Sequence, residues 1–102
     1  MISENGLPAI HPGEYLAEML DETGMSQSEL ARRIGVSRMC ISHIVNGKRP
    51  VTAEIACLIG RVFSQTPQYW MNLQTSYDLK MLDGNLKNRL HQISPIDMTS
   101  IQ

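Results

Sequence analysis

Between Ser26 and Pro50 the chain reads SQSELARRIGVSRMCISHIVNGKRP, and no other stretch constrains the fold as strongly. Ser26-Gln27-Ser28-Glu29 has the spacing of a capping box, in which serine and glutamate satisfy each other's orphan backbone donors at a helix start. Leu30, Ala31 and Ile34 follow on one face, and Gly35 stops that helix. Val36-Ser37 restarts the chain with Ser37 as the N-cap of a second short helix. Ile41, Ile44 and Val45 supply its buried stripe, and Gly47 suits a left-handed C-cap. With a tight turn at Gly35 and that stripe held inside together with Val36, the polar side of the second helix must face solvent.

The flanking sequence is also helical. Pro12 suits a first helical position, and the helix it opens carries Tyr15, Leu16, Met19 and Leu20 inward and ends before Gly24. Thr52 caps a helix in which Ile55, Leu58, Ile59, Val62 and Phe63 follow the i, i+3, i+4, i+7, i+8 pattern. Thr66-Pro67 opens another, with Trp70, Leu73, Tyr77 and Met81 on one side. Leu86, Leu90 and Ile93 line a short last helix bracketed by Gly84 and Pro95. No segment alternates apolar and polar residues over a strand length. The predicted fold is therefore all-α, with five to six helices in one domain, as 102 residues allow. Residues 1–8 read as a flexible arm, residues 9–82 as the folded unit, and residues 83–102 as a short helix and frayed tail.

Charge is unevenly distributed. The net charge is −1, which excludes a uniformly basic coat for nucleic acid. Residues 27–50 nevertheless hold Arg32, Arg33, Arg38, Lys48 and Arg49 against Glu29 alone, a local +4. Residues 1–25 hold five acids and no Lys or Arg, a local −5. A basic surface over a helix pair is the electrostatic footprint of a duplex binder. A short helix whose exposed side carries Arg38, Met39, Ser42 and His43 fits the DNA major groove, with its first turn nearest the base edges.

The pattern Ser26-Gln27, Leu30-Ala31, Ile34-Gly35-Val36-Ser37, Ile41-Ser42, Ile44, Gly47 and Arg49 resembles a Cro/repressor-type helix-turn-helix. The flanks His11-Pro12-Gly13-Glu14-Tyr15-Leu16, Pro67-Gln68-Tyr69-Trp70-Met71-Asn72-Leu73-Gln74 and Tyr77-Asp78-Leu79 resemble HigA-type antitoxins, also called virulence-associated protein I. The likeness covers about residues 9–82. It implies a sequence-specific DNA-binding antitoxin that dimerises on a double-stranded operator, autorepresses its operon and neutralises a HigB-like messenger-RNA endonuclease toxin. By that pattern Gln27 bonds a phosphate and braces the recognition helix that Ser37 caps. Arg38 and Met39 fall at the first base-reading positions, Ser42 and His43 at the next turn, and Asn46, Lys48 and Arg49 on the DNA backbone. Many relatives carry Gln or Thr just after the serine; here Arg38-Met39 suits a guanine edge and a thymine methyl. The toxin contact is placed on residues 1–22, whose acids complement a basic toxin.

Plainer roles compete with these. Arg32 and Arg33 lie on a solvated helix face, where charges usually do nothing specific. Trp70, Leu73 and Tyr77 are candidate dimer-interface residues, because a fifth helix in so short a chain leaves apolar surface uncovered; completing the core is the equal alternative. A dimer would set half-sites about 34–36 Å apart. Cys40 reads as packing rather than a redox switch on the DNA face, and Cys57 as packing within its helix. His11, His43 and His91 are scattered with no ligand spacing, so no metal is expected. No catalytic triad, phosphate-cradling loop or carboxylate pair is present, so neither an enzyme nor a cofactor or small-molecule substrate is expected. No run approaches a membrane span and no secretory signal is present, which points to a cytoplasmic protein. The alternatives are a solitary repressor without a toxin and a protein-interaction module without DNA binding.

Overall fold

The computed structural model describes residues 9–100. The expected arm at residues 1–8 lies outside the described residues. Six helices follow one another: α1 (Pro12–Thr23), α2 (Gln27–Ile34), α3 (Arg38–Val45), α4 (Ala53–Phe63), α5 (Pro67–Lys80) and α6 (Gly84–His91). No strand occurs among the described residues.

Local chemistry starts and stops each helix. Ser26, Ser37, Thr52 and Thr66 each accept a backbone N–H three residues on, at 3.0, 3.1, 3.3 and 3.2 Å. Asp83 does the same for α6 at 3.2 Å. Gly24, Gly35 and Gly47 adopt positive φ, where a side chain would be strained. The capping box at Ser26 forms only by half, because the Glu29 carboxylate turns forward to Arg33 Nε at 3.0 Å.

The core joins α1 to α5. α2 packs on α3 and α4, α1 on α3 and α5, and α4 on α5. Leu16, Leu30, Ile41, Ile44 and Ile59 are fully buried, each worth about 1.5–3 kcal/mol relative to exposure. Backbone proximity at the α1–α3 crossing is set by Gly13, where a Cβ would overlap the Ile44 carbonyl oxygen.

Three expectations are corrected. Trp70 is not an interface residue: it is fully buried, and its indole N–H donates to Gln65 Oε1 at 2.8 Å. The inward side of α5 runs through Trp70 and Gln74, one helical turn apart, with Leu73 and Tyr77 half-buried beside it. Cys57 is exposed on α4 rather than packed, whereas Cys40 is buried. In the tail, Asp97 Oδ1 accepts the Thr99 backbone N–H at 3.0 Å and its hydroxyl at 2.6 Å, beside a 3-10 turn at Met98–Ser100. α6 is formed yet buries no residue, and Leu79, Leu82, Leu90, Ile93, Ile96 and Met98 are exposed around it.

Candidate nucleic-acid interface

Of the four residues expected on the outer side of α3, the structure exposes Arg38 and Met39 and exposes Ser42 and His43 only in part. Ile41 and Ile44 turn inward while Arg38 and Met39, in the first turn of α3, are exposed, Met39 by 59%. Ser42 and His43, one turn on, are half-buried. The Ser37 hydroxyl accepts from Cys40 N, leaving its own proton free to donate outward. Arg38 starts α3 with no acidic residue in that turn, so its charge opposes the helix dipole.

Gln27 is half-buried at the start of α2 and lines a shallow depression shared with Gly24, Met25 and Val45, the last residue of α3. It therefore sits beside the C-terminal end of α3 while Arg38 and Met39 occupy its N-terminal end. Beyond α3, Asn46 donates to Ser42 Oγ at 3.3 Å. The chain then turns through Gly47, and the His43 carbonyl accepts the Lys48 and Arg49 backbone N–H groups at 2.7 and 3.2 Å. Both cationic side chains are exposed. Arg33 is paired with Glu29, whereas Arg32, Arg38, Lys48 and Arg49 have no ion-pair partner among the described residues. Glu14, Glu18, Asp21 and Glu22 are exposed on α1 at a spacing that makes one acidic side.

Sequence reasoning missed two residues behind this surface. His11 is buried and caps α1, its Nδ1 accepting the Gly13 backbone N–H at 2.8 Å. Its ring meets Tyr77 edge-on at 4.9 Å. Burial lowers the imidazole pKa below its ordinary value, opposed by the Asp78 and Glu14 carboxylates and more weakly by the Arg49 backbone. The second is Gln74, a buried polar residue whose Oε1 accepts the Val51 backbone N–H at 2.7 Å. A histidine directly before Pro-Gly at a helix start, and a glutamine one turn after a core tryptophan, were the available signals.

Among the described residues no helix is long and apolar enough to cross a membrane. No group of three or more His, Cys, Asp or Glu side chains is arranged to hold a metal ion there either.

The helix-turn-helix family model matches residues 16–70, from the middle of α1 into α5. The Pseudomonas aeruginosa antitoxin HigA, solved with the higBA promoter, superimposes with a TM-score of 0.79 at 39% identity, over 88% of this chain and 100% of that one. This chain belongs to the HigA antitoxin family. A HigA-family addiction module antidote protein from Coxiella burnetii gives a TM-score of 0.80 at 35% identity, again over 88% and 100% of the two chains. Virulence-associated protein I of Dichelobacter nodosus is 42% identical over 94 residues, 91% of this chain and 86% of its own. The superposition with these HigA structures covers 88% of the chain, more than the helix-turn-helix segment at residues 16–70.

Proposed function

We propose that this chain is a sequence-specific DNA-binding antitoxin that represses its own operon and neutralises a HigB-like messenger-RNA endonuclease toxin. The observation that carries the reading is the exposed first turn of α3, with Arg38 and Met39 outward and unpaired cations at Lys48 and Arg49 beyond its far end. Arg38 and Met39 read base edges; Ser42 and His43 lie over the next bases. Gln27, Ser37, Asn46, Lys48 and Arg49 hold phosphates and fix the register.

Residues 9–82 form the DNA-binding unit, with α5 as its dimerising helix, and residues 83–102 are an appended helix and tail. The chain acts as a homodimer, with Leu73 and Tyr77 contributing to the interface. The toxin meets the N-terminal region, where Glu14, Glu18, Asp21 and Glu22 offer a basic protein an acidic side. The protein works in the cytoplasm without enzymatic activity. A HigA solved with a promoter supports the DNA partner.

Two measurements test this reading. Affinity for a duplex from upstream of its own gene is expected to fall linearly in log–log terms with salt, with a slope of several units. No binding to that duplex at low salt would leave a protein-interaction module. Purification of the tagged chain from its host, with mass spectrometry, is expected to recover a small basic protein in stoichiometric amount. Recovery of the chain with promoter DNA alone would make it a solitary repressor.

A further inference from the structure

Residues 46–54 are exposed with one exception, Val51, which is buried. Lys48 and Arg49 stand in this run, which joins α3 to α4. A loop that carries cations to a phosphate backbone binds well only if its main chain is fixed beforehand, since ordering it on binding costs affinity. Two anchors fix this one. At its start the His43 carbonyl accepts the Lys48 and Arg49 N–H groups at 2.7 and 3.2 Å. At its end the Val51 N–H donates to Gln74 Oε1 on α5 at 2.7 Å.

Little freedom remains between the anchors. Pro50 fixes its own φ and disfavours the helical conformation at Arg49 before it. Burial of the Val51 side chain places that residue, whereas the bond to Gln74 orients the peptide plane joining Pro50 to Val51. Gln74 can hold that plane because its own amide has one orientation. The side chain is 5% exposed, and its Nε2 donates to Asp78 Oδ1 at 2.9 Å. Turning the amide over would set donor against donor at Val51 and oxygen against the Asp78 carboxylate.

We propose that Gln74 is a positioning residue for DNA binding: by holding the Val51 N–H it fixes the direction in which the α3–α4 segment presents Lys48 and Arg49 to the phosphate backbone. This rests on the reading of Lys48 and Arg49 as phosphate contacts. Gln74 touches no DNA itself; it acts from α5 through the main chain.

A double-mutant cycle separates this role from a merely structural one. Gln74→Met keeps the size of the side chain and loses the bond, and Lys48→Ala/Arg49→Ala removes the cations that the bond positions. These chains and their combination, all full-length, are titrated with a duplex from upstream of the protein's own gene, at a temperature where circular dichroism shows each one folded. Gln74→Met alone is expected to bind about three- to tenfold more weakly. A scrambled duplex is expected to lose as much, because phosphate contacts carry no sequence information. In the chain already lacking both cations, Gln74→Met is expected to cost less than about twofold.

A loss of equal size in both backgrounds overturns the proposal, since Gln74 would then act through the fold at large. Native affinity in folded Gln74→Met overturns it too, and so does a loss confined to the operator duplex. Should Gln74→Met not fold, the exposed Asp78 takes its place in the cycle. Asp78→Asn keeps an acceptor for the Gln74 amide, and Asp78→Leu, equal in charge, does not. Weaker binding by Asp78→Leu only while the cations are present supports positioning; equal binding refutes it. The underlying reading is tested apart: native affinity in Lys48→Ala/Arg49→Ala would remove the phosphate contacts themselves, and the proposal with them.

Discussion

Gln74 and Val51, 23 residues apart in sequence, are joined by a 2.7 Å hydrogen bond in which the Val51 backbone N–H donates to the Gln74 side chain. Both residues are buried, so no water is at hand to replace the lost partner. Gln74→Met preserves size and leaves that N–H unsatisfied, which costs about 1–3 kcal/mol. Equilibrium urea denaturation measures the loss. A midpoint equal to that of the native chain would mean Val51 finds another acceptor.

Arg38 and Arg49 are expected to fail differently. Arg38→Ala is expected to change which operator sequence wins in a selection, costing about 1–3 kcal/mol at a guanine it contacts. Arg49→Ala is expected to weaken all duplexes alike and to lower the salt slope by about one. Selection from a randomised operator library with both variants reads the difference. The same ranking of sequences from both variants would erase the division between reading and gripping.

Stability is expected to depend on pH through His11. Its pKa is lowered in the folded chain, by burial, from the ordinary 6.5. A protonated ring also loses the Nδ1 acceptor that holds the Gly13 N–H. Between the lowered value and 6.5 the unfolded chain binds the proton and the folded chain does not, so stability rises with pH there. The contribution is complete above about pH 6.5 and is lost as pH falls toward the folded value. Urea midpoints at pH 7.5, 6 and 5 check this, with His11→Asn removing this part of the slope. An identical slope in that variant would assign the effect to other groups.

Gly13→Ala places a methyl group against the Ile44 carbonyl oxygen. Neither backbone is free to yield, because Pro12, Gly13 and Ile44 are all buried. Overpacking of this kind typically costs about 1–3 kcal/mol, and forced separation of α1 from α3 brings the variant to the upper end. Thermal denaturation reads the change. A variant that melts with the native chain would show that α1 can shift at no cost.

Helix boundaries were legible in the sequence because caps are local. Ser26, Ser37, Thr52 and Thr66 act on backbone groups three residues away, and Gly24 and Gly35 act on their own φ angles. The outward setting of Arg38 and Met39 followed from Ile41 and Ile44 for the same reason. Which side of α5 faces inward was not legible: apolarity favoured Trp70, Leu73 and Tyr77 together, while packing on α4 and α1 chose Trp70 and Gln74. The edge-on contact of His11 with Tyr77 joins residues distant in sequence, and no local pattern encodes it. Glu29 shows the limit even at short range, since its Arg33 partner at i+4 outcompeted the Ser26 backbone at i−3.

Trp70 is the chain's single tryptophan, and it is wholly enclosed with its indole N–H bonded. The protein therefore carries a built-in optical probe. Its emission is that of a shielded indole while the helices are assembled, and it moves to longer wavelength once water enters on unfolding. α3 contains no tryptophan of its own. Unfolding of any chain that keeps Trp70 can thus be followed by ultraviolet light alone, without a label attached near the exposed side of α3.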